Sequence, residues 1–287
     1  MLAPVFGQDS DAALREAPGA DGDARRAGGR MSRRIDFSLM PAPGALQCGM
    51  PAHRGLLCGI SLESAGDMAL SRRGELPWRA KLFSRLGVSA THAYGLRQVH
   101  SRKVIVIEEQ SPMELAAAEA DGMLTLRQDV LLTVTVADCL PIVLIDTKGG
   151  GFGIVHSGWK GTGIAAEAVC MMRERFGSRP QDISVTIGPG IGTCCYCVPR
   201  GRADAFAAEF GPGSVVDGAD GTPRLDLRAA NVALLEQVGV GSIALAAECT
   251  GCTPGLGSFR RQGESSYTLM LAYAGGALIP AAAPGGP

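Results

Sequence analysis

The chain is poor in aromatic residues, 5% of its 287, has only four histidines, and carries a formal net charge of −1 from 27 basic and 28 acidic side chains. It has no apolar run approaching the roughly 20 residues that a membrane-spanning helix needs, so no membrane segment is expected. Balanced charge, without a basic stripe interleaved with aromatics, leaves no field to attract nucleic acid, and a nucleic-acid role is not expected. The nine cysteines do not fall on the spacings of small disulfide-bonded domains. No charged, apolar, small-residue leader opens the chain either, so a soluble protein of a reducing, cytoplasmic compartment is expected. Internal repeats are absent, and the spacings of the candidate ligands His100, Cys139 and His156 match neither H-E-x-x-H nor paired C-x-x-C.

What is present is 46% hydrophobic residues, enough for a large core. Residues 1–34, rich in Gly, Ala, Asp and Arg, have little to bury and read as a flexible lead, with Met31 a candidate initiator. Residues 275–287 read as a fraying tail of Ala, Pro and Gly. Between them, 35–274 reads as one catalytic domain. Apolar patterns predict helices over 78–86, 162–176 and 202–210, and a further one with Leu227, Ala230, Leu234 and Val238 on one face. Strands are predicted over 103–108, 130–136, 142–146, 153–156, 183–187 and 242–247. The fold class is α/β (α+β), a single domain with a mixed β-sheet core and flanking helices.

Three strand ends each offer one metal ligand: His100 in Gln98-Val99-His100, Cys139 in Ala137-Asp138-Cys139, and His156 in His156-Ser157-Gly158-Trp159. Two imidazoles and a thiolate suit Zn²⁺, and three protein ligands leave a fourth position for water or substrate, as catalytic zinc requires. Taken singly, an isolated cysteine is more often a small buried hydrophobe and an isolated histidine more often a hydrogen-bonded core or surface residue than a ligand. Asp138 is the candidate carboxylate behind a ligand imidazole, or else a turn cap. The stretch Ser157–Gly163, with Lys160, either offers phosphate a helix N-terminus and a cation or forms only a tight turn. Arg260-Arg261 either reaches an anionic group or is solvated surface. Cys194, Cys195 and Cys197 are expected to be buried structural thiols, and Cys249-x-x-Cys252 is expected to lack a partner pair.

Taken together and in order, several segments resemble the multicopper polyphenol oxidoreductase, or laccase-domain, family. Its members are also described as purine nucleoside phosphorylases and as a peptidoglycan editing factor. The segments are Gln98-Val99-His100, Ala120-Asp121-Gly122, Ala137-Asp138-Cys139, His156-Ser157-Gly158-Trp159, Cys194-Cys195-Tyr196, Asp226–Asn231 and Ser258-Phe259-Arg260-Arg261, within about 97–273. The resemblance implies that His100, Cys139 and His156 bind zinc. It also implies phosphorolysis of adenosine, inosine, guanosine or methylthioadenosine to base and ribose 1-phosphate, with adenosine deamination as a companion. Purine nucleosides and phosphate are then the partners, with Gln98, Lys160 and Arg260 as expected contacts. Copper-dependent phenol oxidation is less well served, because four histidines are too few for several coppers. A role as a cell-wall precursor editing or binding factor is the alternative. The chain departs from the family pattern at Lys160 and Cys197, where arginine and an acidic residue are usual, and over Leu57–Ser64.

Overall fold

A computed structural model describes residues 32–39, 47–51, 55–69 and 77–276. The expected flexible lead lies outside them up to residue 31, and the expected tail from residue 277. Arg33 and Arg34, assigned by composition to the lead, instead open strand β1 (Arg33–Phe37). They are held there by parallel pairing with β13 (Ser242–Ala246) and by a two-pronged contact of Arg34 with Glu236, at 2.8 and 2.7 Å. Gly275, assigned to the tail, closes the buried strand β14 (Met270–Gly275). A Cβ at Gly275 would lie 2.2 Å from the Val130 carbonyl oxygen, so only glycine allows this approach.

Two sheets form the centre. The larger has seven strands in the order β1, β13, β10 (Ile183–Ile187), β8 (Leu140–Asp146), β9 (Phe152–Ser157), β6 (Gly122–Thr125) and β5 (Val104–Ile107). The smaller has five, β2 (Gln47–Gly49), β3 (Leu57–Ser61), β14, β7 (Leu131–Val136) and β4 (Ala93–Tyr94). A separate hairpin joins β11 (Val215–Asp217) and β12 (Pro223–Leu225). The described helices are α1 (Pro77–Leu86), α2 (Pro112–Leu115), α3 (Ile164–Phe176), α4 (Arg200–Phe210), α5 (Leu227–Gln237) and α6 (Phe259–Gln262).

Strand β8 shows why its sequence is apolar at nearly every position. Ile142 and Leu144 face α3 and α5, packing with Ile164, Ala168, Met172 and Leu235, whereas Val143 and Ile145 face the smaller sheet, packing with Val134, Ile154 and Ala272. A strand covered on both faces has no polar side to alternate with. The outer face of the smaller sheet is covered in turn by α1, whose Leu82, Phe83 and Leu86 meet Leu131, Leu271 and Tyr273. The layers therefore run helix, sheet, sheet, helix, which is the α/β class with flanking helices.

This layering fixes the site. The chain leaves β7 at Val136 and enters β8 at Leu140, crossing from one sheet to the other in residues 137–139. Asp138 takes a positive φ of 92° in the crossing, a conformation that Asp tolerates better than most residues. Cys139 therefore emerges beside His156, whose Cα pairs with that of Pro141 across β8 and β9.

Candidate metal centre and substrate pocket

One ligand atom from each of His100, Cys139 and His156 lies within 4.8 Å of the others. The two imidazole rings meet edge to face, with centroids 4.9 Å apart. Their backbones arrive from three directions: the loop before β5, the crossing between the sheets, and β9 itself.

A single buried carboxylate organises the set. Asp121, fully buried just before β6, receives hydrogen bonds from the N–H groups of Val99, His100 and Ser101 at 3.2, 3.0 and 2.7 Å, and from the Ser101 hydroxyl at 2.7 Å. Its carboxylate also meets His156 Nδ1 at 2.9 Å. The same residue therefore holds the loop that carries His100, at a positive φ of 59°, and turns His156 so that Nε2 is left to face the other ligands.

The electrostatics follow from this packing. Burial alone would raise the Asp121 pKa, but hydrogen bonds from His156 and Ser101 overcome it and hold the carboxyl at about 2. Burial would likewise raise the Cys139 thiol, yet the charge of His156 and hydrogen bonds from both imidazoles bring it down to about 6. Burial would lower His156, but the Cys139 thiolate and Asp121 raise it to about 9. Near neutral pH the metal-free pair is therefore thiolate and imidazolium, with the sulfur already in the form that binds metal.

Space at the sulfur is tight. A Cβ at Gly158 would stand 2.7 Å from Cys139 Sγ and 3.4 Å from His100 Cδ2. Gly158→Ala is expected to push the thiolate out of line and weaken metal binding at this candidate centre roughly 10–100-fold, the range found when ligand orientation is disturbed. A chelator competition titration measures this, with the urea midpoint as a check on folding. Unchanged affinity would remove Gly158 from the account.

The three candidate ligands open onto a cavity of about 570 Å³, within the range of small-molecule sites. Trp159, Tyr196, Phe259 and Tyr267 supply aromatic walls, and Arg202 and Arg260 supply positive charge. The Arg202 guanidinium lies over the Trp159 ring at 4.6 Å and has no carboxylate partner among the described residues. Arg260 is fixed by hydrogen bonds to the carbonyls of Cys195, at 3.0 Å, and Cys197, at 3.1 Å, and stands 5.5 Å from the centre of the Tyr196 ring.

Of the residues expected from sequence, Gln98, Asp138 and Arg260 also line this cavity. Gln98 is tied to β7, its Oε1 accepting from the N–H and hydroxyl of Thr135 and its Nε2 donating to the Thr135 carbonyl. Asp138 is not the carboxylate behind a ligand imidazole. Its oxygens accept from the Thr250 hydroxyl at 2.6 Å and the Arg260 N–H at 2.7 Å, and Asp121 takes the expected role. Lys160 is exposed, its Nζ 5.4 Å from the centre of the Trp159 ring, and it does not line the cavity. Helix α3 begins only at Ile164 and is capped by Gly163, which faces Arg102 and Leu234. Sequence reasoning assigned no role to Asp121 or Arg202. The first had a signal, an Asp directly before an apolar strand; the second, an arginine near the start of α4, had none.

The family model for the multi-copper polyphenol oxidoreductase laccase matches residues 77–273. The chain belongs to this family. Among the relatives of this laccase-family chain is a purine nucleoside phosphorylase of Mycobacterium tuberculosis, 34% identical over 197 residues, which are 68% of this chain and 77% of the relative. Another is adenosine deaminase RL5 from an unknown prokaryotic organism, 34% identical over 212 residues and covering 69% of this chain and 80% of that one. In three dimensions the chain is similar to YlmD from Geobacillus stearothermophilus, with a TM-score of 0.72 at 28% identity, covering 80% of this chain and 94% of that structure.

Proposed function

We propose that this protein is a zinc-dependent purine nucleoside phosphorylase that cleaves adenosine, inosine, guanosine or methylthioadenosine to base and ribose 1-phosphate, with adenosine deamination as a second activity of the same site. The observation that carries this reading is the placement of two imidazoles and a thiolate inside a cavity that also presents aromatic faces and two guanidinium groups. The phosphorylase and deaminase names of its relatives support it.

The donor set fits zinc: one thiolate, two nitrogens, and a carboxylate fixing the orientation of one imidazole. The four histidines of the whole chain cannot furnish the several imidazole-rich centres of a multicopper oxidase. When bound, zinc would supply a Lewis acid that polarises an oxygen of phosphate, substrate or water.

The protein's own residues do the rest. Trp159, Tyr196, Phe259 and Tyr267 offer ring faces to a purine, which is flat and apolar above and below its plane. Arg202 and Arg260 neutralise phosphate and hold it against the ribose, so that a C1′–oxygen bond forms as the bond from C1′ to the base breaks. Arg260 is held in place by the Cys195 and Cys197 carbonyls, and Arg202 rests on the Trp159 ring. Asp138, through the Arg260 N–H, positions the start of α6.

The test is incubation of the purified protein with adenosine or inosine, with and without phosphate. Ribose 1-phosphate is expected only when phosphate is present, whereas conversion of adenosine to inosine is expected in both. Absence of both base release and deamination would overturn the reading. Arg202→Ala is expected to raise the KM for phosphate roughly 10–100-fold, the loss of one charge-assisted contact, with a smaller effect on phosphate-independent deamination. Equal losses in the two reactions would show that Arg202 does not bind phosphate.

A further inference from the structure

A second group of potential ligands lies outside the centre described above. Cys194 and Cys195 sit in the loop after β10, and Cys249 and Cys252 in the loop after β13. Strands β10 and β13 are parallel neighbours, so both loops leave the same edge of the sheet, and a bridge between Gly190 and Cys249 carries the pairing into them. The sequence expectation that Cys249-x-x-Cys252 lacks a partner pair is therefore corrected: the partners are Cys194 and Cys195. They lie far off along the chain but adjacent in space, and Cys194 and Cys252 are exposed rather than buried.

All four Sγ atoms lie within 4.8 Å of one another, with Cys252 at 3.4 Å from Cys194 and 3.2 Å from Cys195. A disulfide would need about 2.05 Å, so these are not bonded pairs. A tetrahedral Zn²⁺ at about 2.3 Å from each sulfur places the sulfurs about 3.8 Å apart, the range this quartet spans. We propose that Cys194, Cys195, Cys249 and Cys252 form a closed tetrathiolate site for Zn²⁺, distinct from the open centre of His100, Cys139 and His156.

The surroundings fit an anionic cluster of sulfurs. The Gly192 N–H donates to Cys249 Sγ at 3.1 Å. A Cβ at Gly251 would stand 2.8 Å from Cys195 Cβ and 2.9 Å from its Sγ, and one at Gly192 would stand 3.4 Å from Cys194 Sγ. Glycines at both places let backbone close around the sulfurs. Two guanidiniums hold the ligand loop from outside: Arg260 on the carbonyls of Cys195 and Cys197, and Arg224 on those of Thr193 and Cys194. Four protein ligands leave no open position, so the ion is structural. What it fixes is one wall of the cavity, since these loops carry Tyr196, the Thr250 that grips Asp138, and the carbonyls that seat Arg260.

The test uses the full chain, purified under reducing conditions, with metal measured by elemental analysis. Wild type is expected to hold two zinc ions and Cys139→Ala one. Adding Cys194→Ser and Cys252→Ser to Cys139→Ala should remove the remaining ion. Because those serine variants can fail to fold, Cys139→Ala is also loaded with Co²⁺, with its cysteine cluster intact. An absorption spectrum with intense thiolate-to-cobalt charge transfer supports the site. Folded Cys139→Ala protein that retains no metal, or that gives a cobalt spectrum without thiolate bands, overturns it, as does mass analysis showing these cysteines paired as disulfides.

Discussion

Cys139→Ala is expected to abolish base release and deamination together, while leaving the fold intact. The thiolate is the only anionic donor of the trio and is already ionised near neutral pH, at a pKa of about 6. Without it, two imidazoles remain, one of them exposed, and with no anionic donor beside them they are weak competitors with water for a divalent ion. Metal supplies several kcal/mol of charge stabilisation in such reactions, so a loss of about 10³-fold or more in kcat/KM is expected for both. Folding should change little, since a small half-buried thiol is exchanged for a methyl group. Steady-state assays for both activities on the same preparations, with circular dichroism and urea melts as controls, measure this. Retention of either activity at a tenth of wild type would mean that the reaction does not need the sulfur.

Asp121→Ala should damage both stability and metal binding, because one carboxylate serves both. Its removal leaves the N–H groups of Val99, His100 and Ser101 and the Ser101 hydroxyl without their acceptor, and strands the buried His156. Breaking a buried charge pair in this way costs roughly 3–5 kcal/mol. His156 then has no fixed tautomer, and zinc affinity should fall roughly 10–100-fold beyond any effect of unfolding. Asp121→Asn keeps the shape but offers one acceptor oxygen in place of two, so an intermediate loss is expected. The acid range gives an independent check. The folded carboxyl titrates at about 2, below the unfolded value near 4, so its contribution to metal-free stability is present above pH 4 and is lost as pH falls towards 2. The difference in stability between wild type and Asp121→Asn should therefore shrink over that interval. A constant difference, or an unaltered zinc affinity, would mean that Asp121 does not hold the site.

That His100, Cys139 and His156 could meet was legible because each stands beside an apolar run whose pattern marks a strand, and a strand end is where a side chain can leave the layers. The strand Ile183–Ile187 was legible to the residue, and α5 nearly so, because their apolar residues repeat at the period of the element. Short elements that owe their form to a neighbour were not. Strand β1 has four exposed residues out of five and exists through its parallel partner, and Met270–Gly275 adjoins a stretch whose composition reads as tail. The carboxylate behind His156 was misassigned for a similar reason. Asp138 is adjacent in sequence to a ligand, but the positive φ at the crossing between the sheets sends its side chain to Thr250 and α6, whereas Asp121 reaches His156 through the pairing of β6 with β9. The four-cysteine group was missed because its halves belong to loops brought together by parallel strands, which local spacing cannot reveal.

The passage of the backbone from the smaller sheet to the larger at residues 137–139 ties the candidate centre to the interior. The separation of the two layers is set by side chains far from any ligand, among them Val134, Val143 and Phe152. Because Cys139 is anchored to both layers at once, slippage between them is transmitted to the sulfur as displacement. The middle of the protein is thus a spacer whose thickness sets where the Cys139 sulfur stands relative to His156.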